Sequence, residues 1–249
     1  MLHEEQLGED LNGQGFSFES NFLDAEYCTR IAQAVTGEYN RLVNAGWAFS
    51  AGGRYAGHLN FRTGRYGPEI FEILQQKGLV AAAEEIVGSR LGIFHISGNM
   101  NLPGSIAQDI HQDFAPPAES IIFNVALVRA TAENGATEIV PGSHGDRFTY
   151  RTLHTSGAIR RARPLGSEPG DLVIRRGTAW HRGMPNRTAV PRPMLCFCMV
   201  PTDKTEPVVA REEPIEFYAN RFYGKYARAR ELAEIYLSPA FHLYRMARS

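Results

Sequence analysis

One short segment of the sequence, His111-Gln112-Asp113, carries two side chains of the kinds that bind metal ions. Positions i and i+2 of an extended segment face the same way, so the imidazole and the carboxylate would point to one side and Gln112 to the other. A neutral imidazole and a carboxylate suit a divalent first-row metal, and one more histidine would complete a triad that leaves three metal positions open. His-x-Asp alone is a weak motif, so residues elsewhere in the chain must decide whether it binds metal.

His181 is the candidate for the third ligand, and Arg192 follows it eleven positions later. The residues from Gly170 to His181 have the composition of a strand, a tight turn at Arg176-Gly177 and a second extended segment. A guanidinium is a planar fork that binds a carboxylate through two hydrogen bonds. We therefore predict an anion site beside the metal site; the alternative for Arg192 is a surface charge.

Strands carry these candidates, and helices precede them. Runs rich in Ile, Val and Phe alternate with Gly and Pro turn clusters, a pattern typical of a β-sandwich or jelly roll. The predicted strands are Leu91 to Met100, Ile121 to Val128, Thr137 to Val140, Asp171 to Ile174 and Met194 to Val200. The predicted helices run from Asp24 to about Asn44, from Pro68 through Leu74, and from Leu79 to Val87. Helix-like spacing returns from Glu216 to Ser249.

Length, composition and charge bound the class of protein. A chain of 249 residues with 43% hydrophobic content can bury a sizeable core, and we expect a single domain over 1–249. Within it we expect a helical N-terminal support over 1–90, a jelly-roll catalytic core over 91–201 and a C-terminal helical extension over 202–249. A net charge of −1 argues against a nucleic-acid partner or an anionic membrane surface.

The sequence shows no mark of export or membrane insertion. The N-terminus is acidic where a secretory signal would be basic, and no uncharged apolar run approaches about 18 residues. Three cysteines, Cys28, Cys196 and Cys198, cannot all pair within the chain, and we interpret them as buried thiols in a reducing compartment. We therefore expect a cytoplasmic protein without a membrane partner.

Three segments, in this order, resemble the phytanoyl-CoA dioxygenase family of iron(II)- and 2-oxoglutarate-dependent oxygenases. They are His111-Gln112-Asp113, then Glu133-Asn134-Gly135 through Pro141-Gly142-Ser143-His144, then Gly170-Asp171 through His181 to Asn186 and Arg192. The order, the spacing and the intervening turns all agree with the family. The match covers roughly 91–201, and its Asn-Gly and Pro-Gly-Ser-His elements are far more specific than His-x-Asp.

The resemblance implies a fold and a set of binding residues. The fold would be mainly β with flanking helices, built as a double-stranded β-helix, which is a cupin-like jelly roll. Iron(II) would be held by His111, Asp113 and His181, 2-oxoglutarate would be anchored by Arg192, and O2 would be the oxidant. The resemblance also implies amides near the cosubstrate, for which the alternative is that they fix a loop; the candidates are Asn99, Asn101 and Gln108.

Two positions bear on the reaction type. Many family members place a hydroxyl side chain two residues after the distal histidine, where this chain has Gly183. One hydrogen bond to the cosubstrate would then be absent or supplied by another residue. Halogenating relatives replace the carboxylate ligand with a small residue, whereas Asp113 is retained here. Hydroxylation, desaturation or ring formation is therefore favoured.

The substrate is expected to be a small organic molecule, such as a natural-product or other metabolic intermediate, oxidised with release of succinate and CO2. The candidates for substrate contacts are Phe114, beside the carboxylate ligand, and three residues of an aromatic- and glycine-rich loop, Trp47, Phe49 and His58. An edge strand is the alternative for the loop, and core packing is the alternative for Phe114. Two other functions stay open: a non-catalytic cupin-like protein that binds a metal or small molecule, and a metal isomerase or dioxygenase that does not use 2-oxoglutarate.

Overall fold

The computed structural model describes residues 4–46, 56–202, 214–218, 229, 232 and 236–248. Within these residues the helices are α1 (Glu4–Gly13), α2 (Ala25–Asn44), α3 (Tyr66–Gln76), α4 (Leu79–Val87), α5 (Tyr150–Thr155) and α6 (Ser238–Arg248), with a 3-10 helix at Ala158–Arg161. The strands are β1 (Phe16–Glu19), β2 (His58–Arg62), β3 (Leu91–Asn101), β4 (Ile121–Ala126), β5 (Thr137–Ile139), β6 (Arg163–Pro164), β7 (Leu172–Arg176), β8 (His181–Gly183), β9 (Arg192–Pro201) and β10 (Glu216–Tyr218).

These strands form two antiparallel sheets. The larger sheet has seven strands in the order β1-β7-β4-β9-β3-β2-β10, and the smaller sheet has three in the order β6-β5-β8. The strands that carry the predicted site come from both sheets, because β8 and β5 belong to the smaller sheet and β9 to the larger. The prediction of a mainly β, cupin-like jelly roll with flanking helices is confirmed.

The larger sheet has one apolar face and one polar face. Along β4, Ile121, Phe123 and Val125 lie in the main hydrophobic cluster, together with residues of α2, α3 and α4. Ile122 and Asn124 alternate with them and face the other way. The helices therefore cover one face of the sheet, and the opposite face is available for the polar side chains of a site.

The three helices predicted before the core are confirmed. α2 begins after Asp24, whose carboxylate accepts a hydrogen bond from the amide of Tyr27 at 2.8 Å. Pro68 lies in the first turn of α3, and α4 ends at Gly88, where the φ of 71° favours glycine. In the part of the chain that the structure describes, no helix is both long and apolar enough to cross a membrane.

Three strands of the larger sheet lie outside the predicted set. β1 pairs with β7 and closes one edge of the sheet. β2 pairs with both β3 and β10, so it is an interior strand rather than the edge strand considered as an alternative. The prediction of a helix from Glu216 is wrong at its start, because Glu216–Tyr218 form the strand β10. The buried ring of Phe217 holds this strand in place, with its centroid 5.5 Å from that of Phe61. Helix is confirmed farther on, in α6.

Close packing between β2 and β3 requires glycine at one position. Phe61 on β2 is fully buried and lies against Gly98 on β3. A Cβ at Gly98 would stand only 2.0 Å from Cζ of the Phe61 ring. The aromatic ring therefore occupies the space that any larger residue would need.

Candidate active site

The two histidines of the predicted triad are joined through their backbones. His111 and His181 form an isolated antiparallel bridge in which each amide donates to the other carbonyl at 3.0 Å. Two residues on, the amide of Asp113 donates to the carbonyl of Gly177 at 3.1 Å. β8 begins at His181 and pairs with β5, so the smaller sheet holds the distal histidine. Backbone contacts therefore bring together the three residues that the sequence separates.

The polar atoms of the three side chains converge. His181 Nε2 lies 3.5 Å from Asp113 Oδ2, and His111 Nε2 lies 3.9 Å from Asp113 Oδ1. One such atom from each residue lies within 4.8 Å of the others. The Nδ1 atoms are anchored elsewhere: that of His111 is 2.8 Å from the carbonyl of Asp109, and that of His181 is 3.0 Å from the carbonyl of Ala179. Since a carbonyl only accepts, each Nδ1 carries the proton and each Nε2 presents a lone pair toward the carboxylate.

The residues beside the triad point away from it, as alternation predicts. Gln112 Nε2 donates to the carbonyls of Asp146 and Thr178, each at 2.8 Å, and its Oε1 accepts from the amide of Phe148 at 2.9 Å. Trp180, next to the distal histidine, packs into a small hydrophobic cluster. These contacts fix the backbone segments that carry the triad.

An arginine and burial set the charges of the triad. Burial acts to raise the pKa of Asp113, but the charge of Arg175 and then those of the histidines outweigh it and hold this pKa well below its usual range. Arg175 Nη2 donates to Asp113 Oδ2 at 2.7 Å. Burial, followed by the charge of Arg175, lowers the pKa of His181 to about 3. Arg175 is absent from the predicted site residues; the signal for it is a charged residue within a buried strand.

Arg192 is a buried cation without a partner among the described residues. It is 3% exposed, its side chain makes no hydrogen bond or ion pair with them, and its Nε is buried and unpaired. Burial lowers the pKa of its guanidinium from 12.5 to about 10, so the group stays charged at neutral pH. Buried charges in proteins are ordinarily paired. The alternative of a surface charge is wrong, and the surroundings of Arg192 suit an anion that is not part of the chain.

A small cavity of about 30 Å³ adjoins Arg192. Asn124 and Met194 line it from the larger sheet, and Thr137 lines it from the smaller sheet. The triad does not line the cavity, but Asn124 accepts a hydrogen bond at 3.2 Å from Nε of Arg175, which in turn binds the carboxylate of the triad. This volume is enough for one or two water molecules or a small polar group beside the guanidinium.

His58 and Gln108 occupy the space beside Gly183. A Cβ at Gly183 would lie 2.9 Å from Gln108 Oε1 and 2.9 Å from His58 Cε1. The amide of Gly183 donates to Gln108 Oε1 at 2.8 Å. A hydroxyl side chain at this position, as in many relatives, would require one of the two neighbours to move.

His58 is close enough to Arg192 and to His111 for the charges of both to act on it. It is 4% exposed, and its Nε2 donates to the carbonyl of Ile106 at 2.8 Å. Its Nδ1 is buried and has no partner among the residues described. Burial lowers the pKa of His58 to about 4, and the charges of Arg192 and His111 act in the same direction. His58 is therefore a neutral imidazole that offers one free lone pair inside the site.

The two predicted asparagines differ in their contacts. Asn101 is fully buried, donates to the carbonyl of Met184 at 2.8 Å and accepts from the hydroxyl of Ser105. These are the contacts of the alternative interpretation, in which the amide fixes a loop. Asn99 lies on the same face of β3, and its amide donates to Oδ1 of Asn60 on β2 at 3.1 Å.

Two aromatic side chains contact each other, and one of them is next to Asp113 in the sequence. Phe114 follows Asp113 in the sequence. The ring of Phe94 makes a T-shaped contact with the ring of Phe114, and the two ring centroids are 5.6 Å apart. Phe94 is 61% exposed and lies at a register shift in β3, where an extra residue bulges from the strand. It is absent from the predicted contacts. Trp47 and Phe49, which are among them, lie outside the described residues.

Known proteins resemble this chain in sequence and in fold. The dioxygenase andF of Emericella variicolor is 31% identical over 132 residues, which cover 47% of this chain and 45% of that protein. The solved structure of SnoK, a non-heme alpha-ketoglutarate-dependent carbocyclase from nogalamycin biosynthesis, matches with a TM-score of 0.63 at 16% identity, covering 88% of this chain and 97% of that one. The non-heme alpha-ketoglutarate-dependent epimerase SnoN, from the same biosynthesis, matches with a TM-score of 0.60 at 20% identity, covering 83% and 87%.

The family follows from a match over most of the sequence. The chain spans about half the length of the curated relatives it matches, and the likeness to the solved structures supports the fold. Residues 11–194 match the phytanoyl-CoA dioxygenase family, PhyH, and this range includes the triad and Arg192. The chain therefore belongs to the phytanoyl-CoA dioxygenase family.

Proposed function

We propose that this protein is an iron(II)- and 2-oxoglutarate-dependent oxygenase that oxidises a small organic molecule. The observation that supports this most directly is a buried guanidinium, Arg192, that has no partner among the described residues and whose charge acts on His58, as does that of His111 of the triad. A His-Asp-His triad alone would suit several metalloproteins. A triad with an adjacent cation suits a diacid that chelates the metal at one end and binds the guanidinium at the other.

The proposal assigns a role to each of these residues. His111, Asp113 and His181 would hold iron(II), and Arg192 would bind the distal carboxylate of 2-oxoglutarate. The separations of 3.5 and 3.9 Å between the histidine nitrogens and the carboxylate oxygens would allow one ion to contact all three residues. When bound, iron(II) and 2-oxoglutarate supply the oxidising chemistry, in which O2 is consumed and succinate and CO2 are released.

The protein's own residues prepare the site. The carbonyls of Asp109 and Ala179 hold each imidazole in one tautomer and one orientation. Burial excludes bulk water from Arg192, so that a carboxylate there would be bound in surroundings of low dielectric constant. His58 and Gln108 occupy the space of the hydroxyl side chain found in many relatives, and we assign to them its contact with the cosubstrate.

The open side of the site indicates the class of substrate. The rings of Phe94 and Phe114 offer uncharged, apolar contacts, which favour a substrate with an apolar ring or chain. The retained carboxylate ligand favours hydroxylation, desaturation or ring formation. The solved neighbours are a carbocyclase and an epimerase from a biosynthetic route, and we place this protein in the biosynthesis or modification of a comparable metabolite.

An anaerobic titration tests the metal and the cosubstrate without requiring the substrate. Iron(II) followed by 2-oxoglutarate, under argon, should produce the weak visible charge-transfer band of the chelated complex. Asp113→Ala should lose iron binding and the band. Arg192→Ala should retain iron binding but need much more 2-oxoglutarate. Arg41→Ala, which removes an exposed arginine of α2, should match the wild type.

The two rival functions give other results. A protein that binds metal without turnover would form no succinate from 2-oxoglutarate in air, even with a broad panel of candidate substrates, and Arg192→Ala would leave 2-oxoglutarate binding unchanged. A metal isomerase or dioxygenase that does not use 2-oxoglutarate would convert its substrate with iron(II) when no 2-oxoglutarate is added. Either result would replace the proposed function.

A further inference from the structure

Two consecutive arginines on β7 are both buried but have different surroundings. The side chain of Arg176 is satisfied in three directions. Its Nε donates to the carbonyl of Leu11 at 3.2 Å, its Nη2 to Oδ1 of Asn12 at 2.6 Å, and its Nη1 to the carboxylate of Glu119. Arg176 therefore fastens the N-terminal helix α1 to the larger sheet.

Arg175 points to the opposite face and is not fully satisfied. It is 4% exposed, its Nη2 donates to Oδ2 of Asp113 at 2.7 Å, and its Nε donates to Oδ1 of Asn124 at 3.2 Å. Its Nη1 is buried and has no hydrogen-bond partner among the residues that the structure describes. A buried N–H without an acceptor is unfavourable in the folded protein, so an acceptor supplied from outside the chain would relieve that cost.

We propose that Arg175 is a positioning residue with two tasks: one nitrogen holds Asp113 in its ligand orientation, and the other donates to an anionic carboxylate bound at the metal. This inference rests on the proposed function, and it adds a second anion-binding arginine to Arg192. Nη1 and Nη2 belong to one rigid, planar group. Because Nη2 is anchored 2.7 Å from Asp113 Oδ2, the direction of the unpaired Nη1 is fixed as well.

The two arginines would read different ends of the cosubstrate. Arg192 adjoins the cavity bordered by Asn124, away from the triad, and would take the distal carboxylate. Arg175 contacts the triad directly and would take the carboxylate that chelates the metal. Pyruvate is a 2-oxo acid that has the chelating end but no distal carboxylate, so it separates the two contacts.

The test uses the full chain with cobalt(II) in place of iron(II), because cobalt(II) in such a site reports ligand binding by its visible absorption without consuming O2. Arg175→Gln should weaken cobalt(II) binding by about 10- to 100-fold, the usual effect of removing a residue that orients a ligand. It should also weaken pyruvate binding to the cobalt-loaded protein. Arg192→Lys should weaken 2-oxoglutarate binding and leave pyruvate binding unchanged.

A matched control separates positioning from folding. Arg176→Gln removes the neighbouring buried arginine and should lower the melting temperature, while the cobalt(II) affinity of the folded protein stays at the wild-type value. Arg175→Lys covers the case in which Arg175→Gln does not fold. A lysine keeps a cation beside Asp113 but has one nitrogen instead of three, so cobalt(II) affinity should be largely retained while pyruvate affinity falls and the absorption band of the pyruvate complex shifts.

The outcomes decide between the inference and the proposed function. Wild-type affinities for cobalt(II) and pyruvate in both Arg175 variants would overturn the role of Arg175 while leaving the oxygenase proposal intact. A wild-type protein that binds neither cobalt(II) nor 2-oxoglutarate would overturn both. Loss of pyruvate binding in Arg192→Lys as well as in Arg175→Gln would contradict the assignment of the two arginines to different ends of the cosubstrate.

Discussion

Arg192→Met should make the metal-free protein more stable while removing its response to 2-oxoglutarate. Methionine keeps an unbranched apolar stem of similar length and removes a charge that has no partner among the described residues. Replacing a buried, uncompensated charge by an apolar side chain relieves its desolvation cost. Most substitutions of a fully buried residue destabilise a protein, so the predicted sign is distinctive.

The magnitude follows from the effect of burial on the guanidinium. Burial lowers the pKa of Arg192 from 12.5 to about 10, which corresponds to roughly 3 kcal/mol against the charged form in the folded protein. At neutral pH the group is charged in both the folded and the unfolded protein, so this cost applies in full and lessens only when the pH rises above about 10. Removing it should raise the melting temperature by roughly 5–10 °C in a chain of this size.

The assay is thermal unfolding of the wild type and the variant, each alone, with manganese(II), and with manganese(II) plus 2-oxoglutarate. The melting temperature of the wild type should rise with manganese(II) and again with 2-oxoglutarate, whereas that of Arg192→Met should rise with manganese(II) only. The reason is that losing one partner of a buried charge pair weakens binding by about 2–5 kcal/mol. Arg176→Met is the control, because it breaks contacts that are satisfied and should lower the melting temperature. A metal-free Arg192→Met that melts below the wild type, or that keeps the 2-oxoglutarate shift, would refute the reasoning.

Three further predictions test the packing and the electrostatics around the site. Gly183→Ser should weaken 2-oxoglutarate binding and lower the free energy of unfolding by about 1–3 kcal/mol, because its side chain would clash with His58. Adding His58→Ala should restore part of the lost affinity and part of the lost stability. Effects of the two substitutions that simply add, in both titration and melting, would contradict this contact. Because burial lowers the pKa of His58 from 6.5 to about 4, the unfolded chain takes up a proton that the folded protein does not, so metal-free stability should fall by up to about 3 kcal/mol as the pH drops from 6.5 to 4. Urea unfolding should show that the stability of His58→Gln falls less steeply with decreasing pH than that of the wild type. Parallel plots of stability against pH for the two proteins would contradict this role of His58. Gly98→Ala should lower the free energy of unfolding by about 1–3 kcal/mol or more, because the new Cβ would clash with the Phe61 ring. Gly37→Ala, in an open position on α2, should raise the free energy of unfolding by about 0.5–1 kcal/mol. Similar melting temperatures for the two variants would show that the Phe61 ring moves aside freely.

The sequence predicts the parts of the site that depend on local pattern. The i and i+2 spacing of His111 and Asp113 places both side chains on one face and Gln112 on the other, and the structure has this arrangement. The helices before the core are also predictable, because Asp24 and Gly88 mark helix ends by their own chemistry. In each case the deciding interactions lie within a few residues of one another.

The parts that escape prediction depend on pairing between distant strands. Arg175 is important because β7 places it against Asp113 and Asn124, which are 62 and 51 residues away. The exposure of Phe94 results from a register shift between β3 and β9, which no local pattern reveals. His58 is close to Gly183 only because β2 joins the larger sheet as an interior strand.

The reciprocal hydrogen bonds between the backbones of His111 and His181, with both Nδ1 atoms anchored, mean that contacts of the chain itself orient both imidazoles. The affinity of a nitrogen and oxygen donor set of this kind for divalent ions should rise along the series from manganese through iron, cobalt and nickel to copper. On that order iron(II) would not be the ion that the proposed site binds most tightly. Which ion sits there in a living cell would be decided by the supply of free metal and the order of arrival, and a preparation grown without added iron would be expected to carry the wrong one.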